Sequence, residues 1–146
     1  MQHAIRLLGW ATLCVLVGVG CGKKAPAEAA GQTPEETAKA FAAAMASGDT
    51  KTAAAYWAYD AQARQDNPDW DSFPPGQRSQ IKAKLRESKA EELRAGASVF
   101  AGADKGAETA AQGDQVTVSA SGRALAVISV TQSDSGYQVT GYAPAS

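Results

Sequence analysis

The chain has 146 residues, with 14 Lys/Arg against 15 Asp/Glu and a formal net charge of −1. So even a balance in a chain of one-domain length excludes the basic footprint of a nucleic-acid-binding domain. Hydrophobic residues make up 45% of the chain, enough for a core, while two cysteines and one histidine leave little material for disulfide or imidazole chemistry.

The N-terminus reads basic, then apolar, then small. Met1 to Arg6 is followed by Leu7 to Gly20, apolar or small except for Thr12, and then by Cys21, Gly22, Lys23 and Lys24. This layout predicts a secretory signal peptide over residues 1–20. Its end resembles the lipobox of bacterial lipoproteins: Val19 and Gly20 match, and Gly18 stands where that family usually has Leu, with Val17 one residue earlier. The resemblance implies diacylglyceryl transfer to the Cys21 thiol, cleavage before it and acylation of the new amine. Two other readings are an uncleaved anchor and an ordinary cleaved signal with a chance cysteine, as Cys14 illustrates. The apolar run is about 14 residues, short of the roughly 17–25 a span needs. Lys23 and Lys24 would also sit on the translocated side, against the positive-inside tendency. Two or more acyl chains anchor stably where one binds marginally, so the expected partner is the membrane, held through Cys21 without a span. By the same resemblance, Gly22 in place of Asp implies the periplasmic face of the outer membrane.

Cleavage before Cys21 would leave 13 Lys/Arg against 15 Asp/Glu, one cysteine and no histidine, since His3 lies in the signal. No disulfide could then form, although an exported compartment permits one. The fold must be held by packing. The expected large core residues are Phe41, Met45, Trp57, Ile81, Leu85, Leu93, Phe100 and Leu125. No cofactor and no resident metal are expected.

Residues 21–32 read as a flexible tether, rich in Ala, Gly and Pro, with a reach near 20 Å for about 11 residues. A domain over residues 33–146 follows. Thr33-Pro34-Glu35-Glu36 predicts a helix start with a capping box and Pro at the first helical position. Ala38, Phe41, Ala42 and Met45 recur at helical spacing, and Ser47-Gly48-Asp49 stops the helix. Asp49 caps a second, short helix running to about Tyr59. Asp60 to Gly76 reads as a polar loop. Ser72 to Pro75 opens a third helix that runs to about Arg94, with Ile81, Leu85 and Leu93 on its buried side, Ala90 off that stripe and Gly96 past its end. Ala97 to Ala101 reads as a strand. Val116, Val118 and Ala120 alternate with polar residues as a half-buried strand. Ser121-Gly122 makes a hairpin, Arg123 to Thr131 a long strand, Ser133 to Gly136 a turn, and Tyr137 to Ala143 the last strand. Helices first and strands after predict an α+β fold, with N-terminal helices packed on a curved antiparallel sheet of three or four strands.

The segments Thr33 to Phe41, Ala46-Ser47-Gly48-Asp49 and Ala53-Ala54-Ala55-Tyr56-Trp57 resemble the opening of small bacterial lipoproteins of the nuclear transport factor 2-like (cystatin-like, SnoaL-like) superfamily. Gly136-Tyr137-Gln138-Val139 stands where that group often has a Gly-Trp-Lys turn and strand. The resemblance covers roughly Thr33 to Tyr142 and implies a cone, in which a curved sheet wraps a helix around a cavity open at one end. Its motifs are structural, so they speak to fold more than to function.

Four groups of residues are candidates for chemistry. Enzymes of that superfamily often use Asp with His or Tyr in the cone. Here a base would have to be a carboxylate such as Asp49 or Asp60, and each has a plainer reading at a helix end. Asp66, Asp69 and Asp71 cluster as hard-cation ligands do, but without EF-hand spacing, and Asx turns explain them equally. Phe41, Tyr56, Trp57 and Phe100 could line a cavity or simply pack in a core. Arg78, Lys82, Arg86 and Lys89 form a basic stripe that could face headgroups or a partner, with a solvated helix face as the plainer reading. The function expected is that of a noncatalytic, lipid-anchored envelope lipoprotein whose domain binds a small apolar ligand or an envelope protein partner. The alternatives are a SnoaL-like enzyme with a buried carboxylate, or a purely structural envelope protein.

Overall fold

The structure, a computed structural model, describes residues 28–146. The expected signal peptide, Cys21 and the tether up to Ala27 lie outside the described residues. The described part is α+β: helices first, then an open four-stranded antiparallel sheet in the order β1-β2-β3-β4.

Helix α1 spans Pro34–Ala46. Thr33 Oγ1 accepts from the Glu36 amide at 3.2 Å, and the Glu36 carboxylate accepts from the Gln32 amide at 3.0 Å, which completes a reciprocal cap. Gly48, at φ 76°, turns the chain out of the helix. Asp49 caps α2 (Thr50–Ala55), accepting from the Thr52 amide at 3.1 Å and the Thr52 hydroxyl at 2.7 Å.

The expected loop over Asp60 to Gly76 is largely helical. Helix α3 covers Tyr59–Asp66, and a 3-10 turn covers Trp70–Ser72. Only Tyr59 and Ala63 of α3 are buried, so the segment carries no apolar stripe for periodicity to detect. Helix α4 runs Pro75–Gly96, two residues beyond the expected end. Gly96 closes it at a close approach, since a Cβ there would collide with the Tyr142 hydroxyl. The inward face of α4 also differs from expectation. Lys89, Ala90 and Leu93 are buried, Ile81, Leu85, Lys82 and Arg86 are half-buried, and Ala90 belongs to the core.

Ala97–Phe100 is a 3-10 turn and not a strand. Val99 is half-buried and Phe100 fully buried, so the run lacks the two-faced alternation of a strand, and a short apolar run does not by itself distinguish the two. The first strand is β1 (Glu108–Gln112), mostly exposed. Then come β2 (Gln115–Ala120), β3 (Arg123–Ser133) and β4 (Gly136–Pro144). Ser121 and Gly122 both take positive φ, 52° and 74°, as a two-residue hairpin requires. Two bulges interrupt the ladders: Leu125 is the extra residue of β3 against β2, and Thr140 the extra residue of β4 against β3. Each bends its strand and re-aims a side chain.

Helix α1 packs across all four strands. Phe41 projects into a cluster of rings: Phe100 at 5.7 Å between centroids, Tyr142 at 5.9 Å and Trp57 at 6.3 Å. Val116, Val118, Ala126, Ile128, Val130 and Val139 form the sheet's side of the core. The outer edge of β4 is sealed by two earlier segments. Gly31 exchanges backbone hydrogen bonds with Tyr137 at 2.9 and 3.2 Å, and the Tyr56–Ala58 stretch bonds Val139 through Tyr56 O and the Ala58 amide, both at 2.8 Å. Residues 28–32, assigned by composition to a tether, are therefore built into the domain. Thr37 holds this junction, because its Oγ1 accepts from the Gly31 amide at 3.1 Å and lies 3.0 Å from the Tyr137 carbonyl.

Thr37→Val keeps the shape and removes that hydroxyl. It should destabilise the domain by about 1–3 kcal/mol in chemical denaturation, the range for stripping a partner from buried polar groups, and speed exchange of the Gly31 amide. Unchanged stability and exchange would show that the hydroxyl does not hold the N-terminal segment.

Candidate functional site

The candidate residues fall into three places. Phe41 and Phe100 are fully buried in the ring cluster, and Tyr56 is half-buried against the hydrophobic core. Trp57 belongs to that cluster and also reaches a surface cleft.

The cleft has a volume of about 580 Å³ and lies among α3, α4 and the bulge of β4. Ala58, Ala61, Gln62 and Gln65 recur at helical spacing, so one face of α3 runs along it. Asp66, Trp57, Lys89 and Thr140 complete the lining. Thr140 also borders a second cleft of about 460 Å³, with Asp114, Thr131, Gln132 and Tyr137. The bulge in β4 is what turns Thr140 toward both. Lys89 is only 9% exposed, its ammonium 4.2 Å from the Trp57 ring centroid and 2.7 Å from a Glu92 carboxylate oxygen. A cation over an aromatic face is attracted by the ring quadrupole. The Oε1 atom of Gln62 is buried and has no hydrogen-bond partner. The amide face was not visible in the sequence, where the segment reads as loop: two glutamines at i, i+3 without an apolar stripe do not mark a helix face.

Three residues of the basic stripe on α4, Lys82, Arg86 and Lys89, are paired, contrary to the solvated-face reading. Lys82 Nζ lies 2.7 Å from Glu28 Oε1 and 3.0 Å from Asp60 Oδ2. Arg86 approaches Glu28 at 3.6 Å and lies 5.6 Å from the centroid of the Tyr59 ring. Burial pushes the Tyr59 phenol well above its ordinary range, and its hydroxyl donates to the Ala54 carbonyl at 2.7 Å. The group stays neutral as a core donor.

The candidate bases are engaged structurally. The Thr52 hydroxyl and amide hold Asp49 below the ordinary carboxylate range at its cap. For Asp60, burial acts upward but is outweighed by hydrogen bonds from Lys82 and from Trp70 Nε1, the latter at 3.1 Å, so its carboxyl also sits below the ordinary range. A general base working near neutrality needs a shift in the opposite direction. Asp71 forms a two-point pair with Arg64 at 3.1 and 3.2 Å, the hydrogen bonds holding its carboxyl low. Among the described residues, no three His, Cys, Asp or Glu side chains converge as metal ligands.

Because the folded-state pKa of Asp60 is depressed, its pairing contributes stability above the unfolded carboxylate pKa, near 4, and loses it as pH falls through the lower folded value. Asp60→Asn should flatten part of the acid limb of a stability–pH profile and lower neutral-pH stability by about 1 kcal/mol or less, since a partly exposed pair is screened. An acid limb identical to the parent's would remove Asp60 from the account. Comparison with protein-family models, curated proteins and solved structures finds no match, so the functional reading stands on the residues and their geometry.

Proposed function

We propose that the protein is a noncatalytic, lipid-anchored accessory lipoprotein of the cell envelope, attached through acylated Cys21 at the periplasmic face of the outer membrane. Its domain, in this reading a filled version of the nuclear transport factor 2-like cone, engages what it binds on its surface and not inside the sheet. One observation carries the surface reading: Phe41, Phe100 and Tyr142 fill the space between α1 and the sheet, with Phe41 and Phe100 fully buried. The anchor reading draws on the basic and apolar run that ends in Val19-Gly20-Cys21. No helix among the described residues is long and apolar enough to cross a membrane.

Phe41→Ala separates a packed core from a cavity wall. In a packed core the substitution should cost about 3–5 kcal/mol, measured by denaturation. A loss below about 1 kcal/mol would mean the ring borders empty space, and the surface reading would fall. Cys21→Ser should abolish fatty-acid labelling and shift the protein out of the membrane fraction, while the folded domain stays intact. Retained labelling would sink the anchor.

A further inference from the structure

We infer that the cleft between α3, α4 and the β4 bulge binds a small, neutral, hydroxyl-rich molecule of the saccharide class. This deepens the proposal above and rests on its placement of binding outside the core. Three observations converge. The first is size: about 580 Å³ falls within the range of small-ligand sites. The second is Gln62, whose side chain borders the cleft and whose Oε1, closed off from solvent just behind the wall, has no hydrogen-bond partner. A buried acceptor without a partner is costly, and turning the Gln62 amide into the cleft, where a ligand hydroxyl donates to it, recovers that loss. The third is the bulge: the extra residue in β4 turns Thr140 into the cleft opposite the amide face of α3.

The lining selects the chemistry. Gln62 and Gln65 offer amides that donate and accept, Thr140 a hydroxyl that does both, Asp66 an acceptor and Lys89 a donor. A sugar hydroxyl donates and accepts from one atom, so it can satisfy each of these groups. An apolar ligand would bury them without partners, at a penalty for each. A net charge of either sign meets a like charge on one side, at Asp66 or at Lys89. A zwitterion finds little free cation, because the Lys89 ammonium already serves Glu92 and the Trp57 ring. Trp57 and the methyls of Ala58 and Ala61 give the apolar wall against which the C–H faces of a sugar ring can lie.

The test uses the full lipidated protein in detergent micelles, titrated with maltose, lactose and N,N′-diacetylchitobiose, with glycylglycine and decanoate as contrasting probes. Binding is followed by tryptophan fluorescence and by shifts of the Gln62 side-chain amide resonances. At least one disaccharide should bind saturably. Gln62→Leu should weaken it about tenfold, the effect of losing one buried hydrogen bond, with a melting temperature equal to or above the parent's. Thr140→Val, at an exposed position, should also weaken binding and provides a second readout should Gln62→Leu fail to fold. No saturable disaccharide signal, an affinity unchanged in both variants, or tighter binding of glycylglycine or decanoate than of every sugar would overturn the inference. Any of those results with Phe41→Ala still costly removes the saccharide class and leaves the surface reading standing. A cheap Phe41→Ala would remove the reading beneath it.

Discussion

Phe41 is the residue on which the arrangement turns. Much of the core is alanine: Ala38, Ala42, Ala53, Ala54 and Ala126 are fully buried. Alanines let backbones approach but bury little area each, so the hydrophobic term must come from a few large side chains. Phe41 from α1 meets Trp57 from the turn after α2, Phe100 from the 3-10 turn after α4, and Tyr142 from β4. One ring thus sets the relative position of four elements far apart in the chain. Among the described residues this core contains no cysteine, so packing alone holds it.

The second constraint is the treatment of the sheet edges. β4 comes last in sequence and lies at one end of the strand order, yet its outer edge is occupied by Gly31 and by Tyr56–Ala58. The other end, β1, is five residues long and carries Glu108. Shortness and charge are common ways of blunting a free edge. The sealing of β4 reaches beyond stability. It holds the short turn between α2 and α3 against the sheet, so Trp57 has the ring cluster on one side and Lys89 on the other. The wall of the cleft is therefore a by-product of closing an edge.

Sequence patterns gave a good account wherever a local rule decided the structure. The capping residues Thr33 and Asp49, the stop at Gly48, the Ser121-Gly122 hairpin and the alternation of Val116, Val118 and Ala120 follow from backbone chemistry within a few residues. The failures share a cause. Helix α3, strand β1 and the docked segment at Gly31 lack an apolar periodicity and are placed by partners distant in sequence. Ala97–Phe100 had the composition of a strand and none of its partners. Of the site, Trp57 was legible as a large ring at a helix end. Gln62, Gln65 and Thr140 were not, because neither a helix without a stripe nor a bulge register can be read from composition.

Helix α4 shows why the cleft is polar. Its stripe of Arg78, Lys82, Arg86 and Lys89 looks like a solvated face, but the first three are half-buried, Lys89 is buried, and the last three are paired. Their aliphatic stems supply apolar contact while the heads find Glu28, Asp60 and Glu92, or the faces of Tyr59 and Trp57. A helix attached in this way brings ammonium and guanidinium groups to its seam with α3, where an ordinary amphipathic helix would bring leucines. The two properties that bear on binding then have one origin. Small alanines draw α1 and α2 close and leave the interior to a few rings, which fill it. The long polar side chains are displaced to the α3–α4 seam, where the remaining space is bordered by amides, a hydroxyl and opposed charges. Space in this domain is thus found where hydrogen-bonding groups are, and that favours a ligand recognised by hydrogen bonds over one recognised by apolar area.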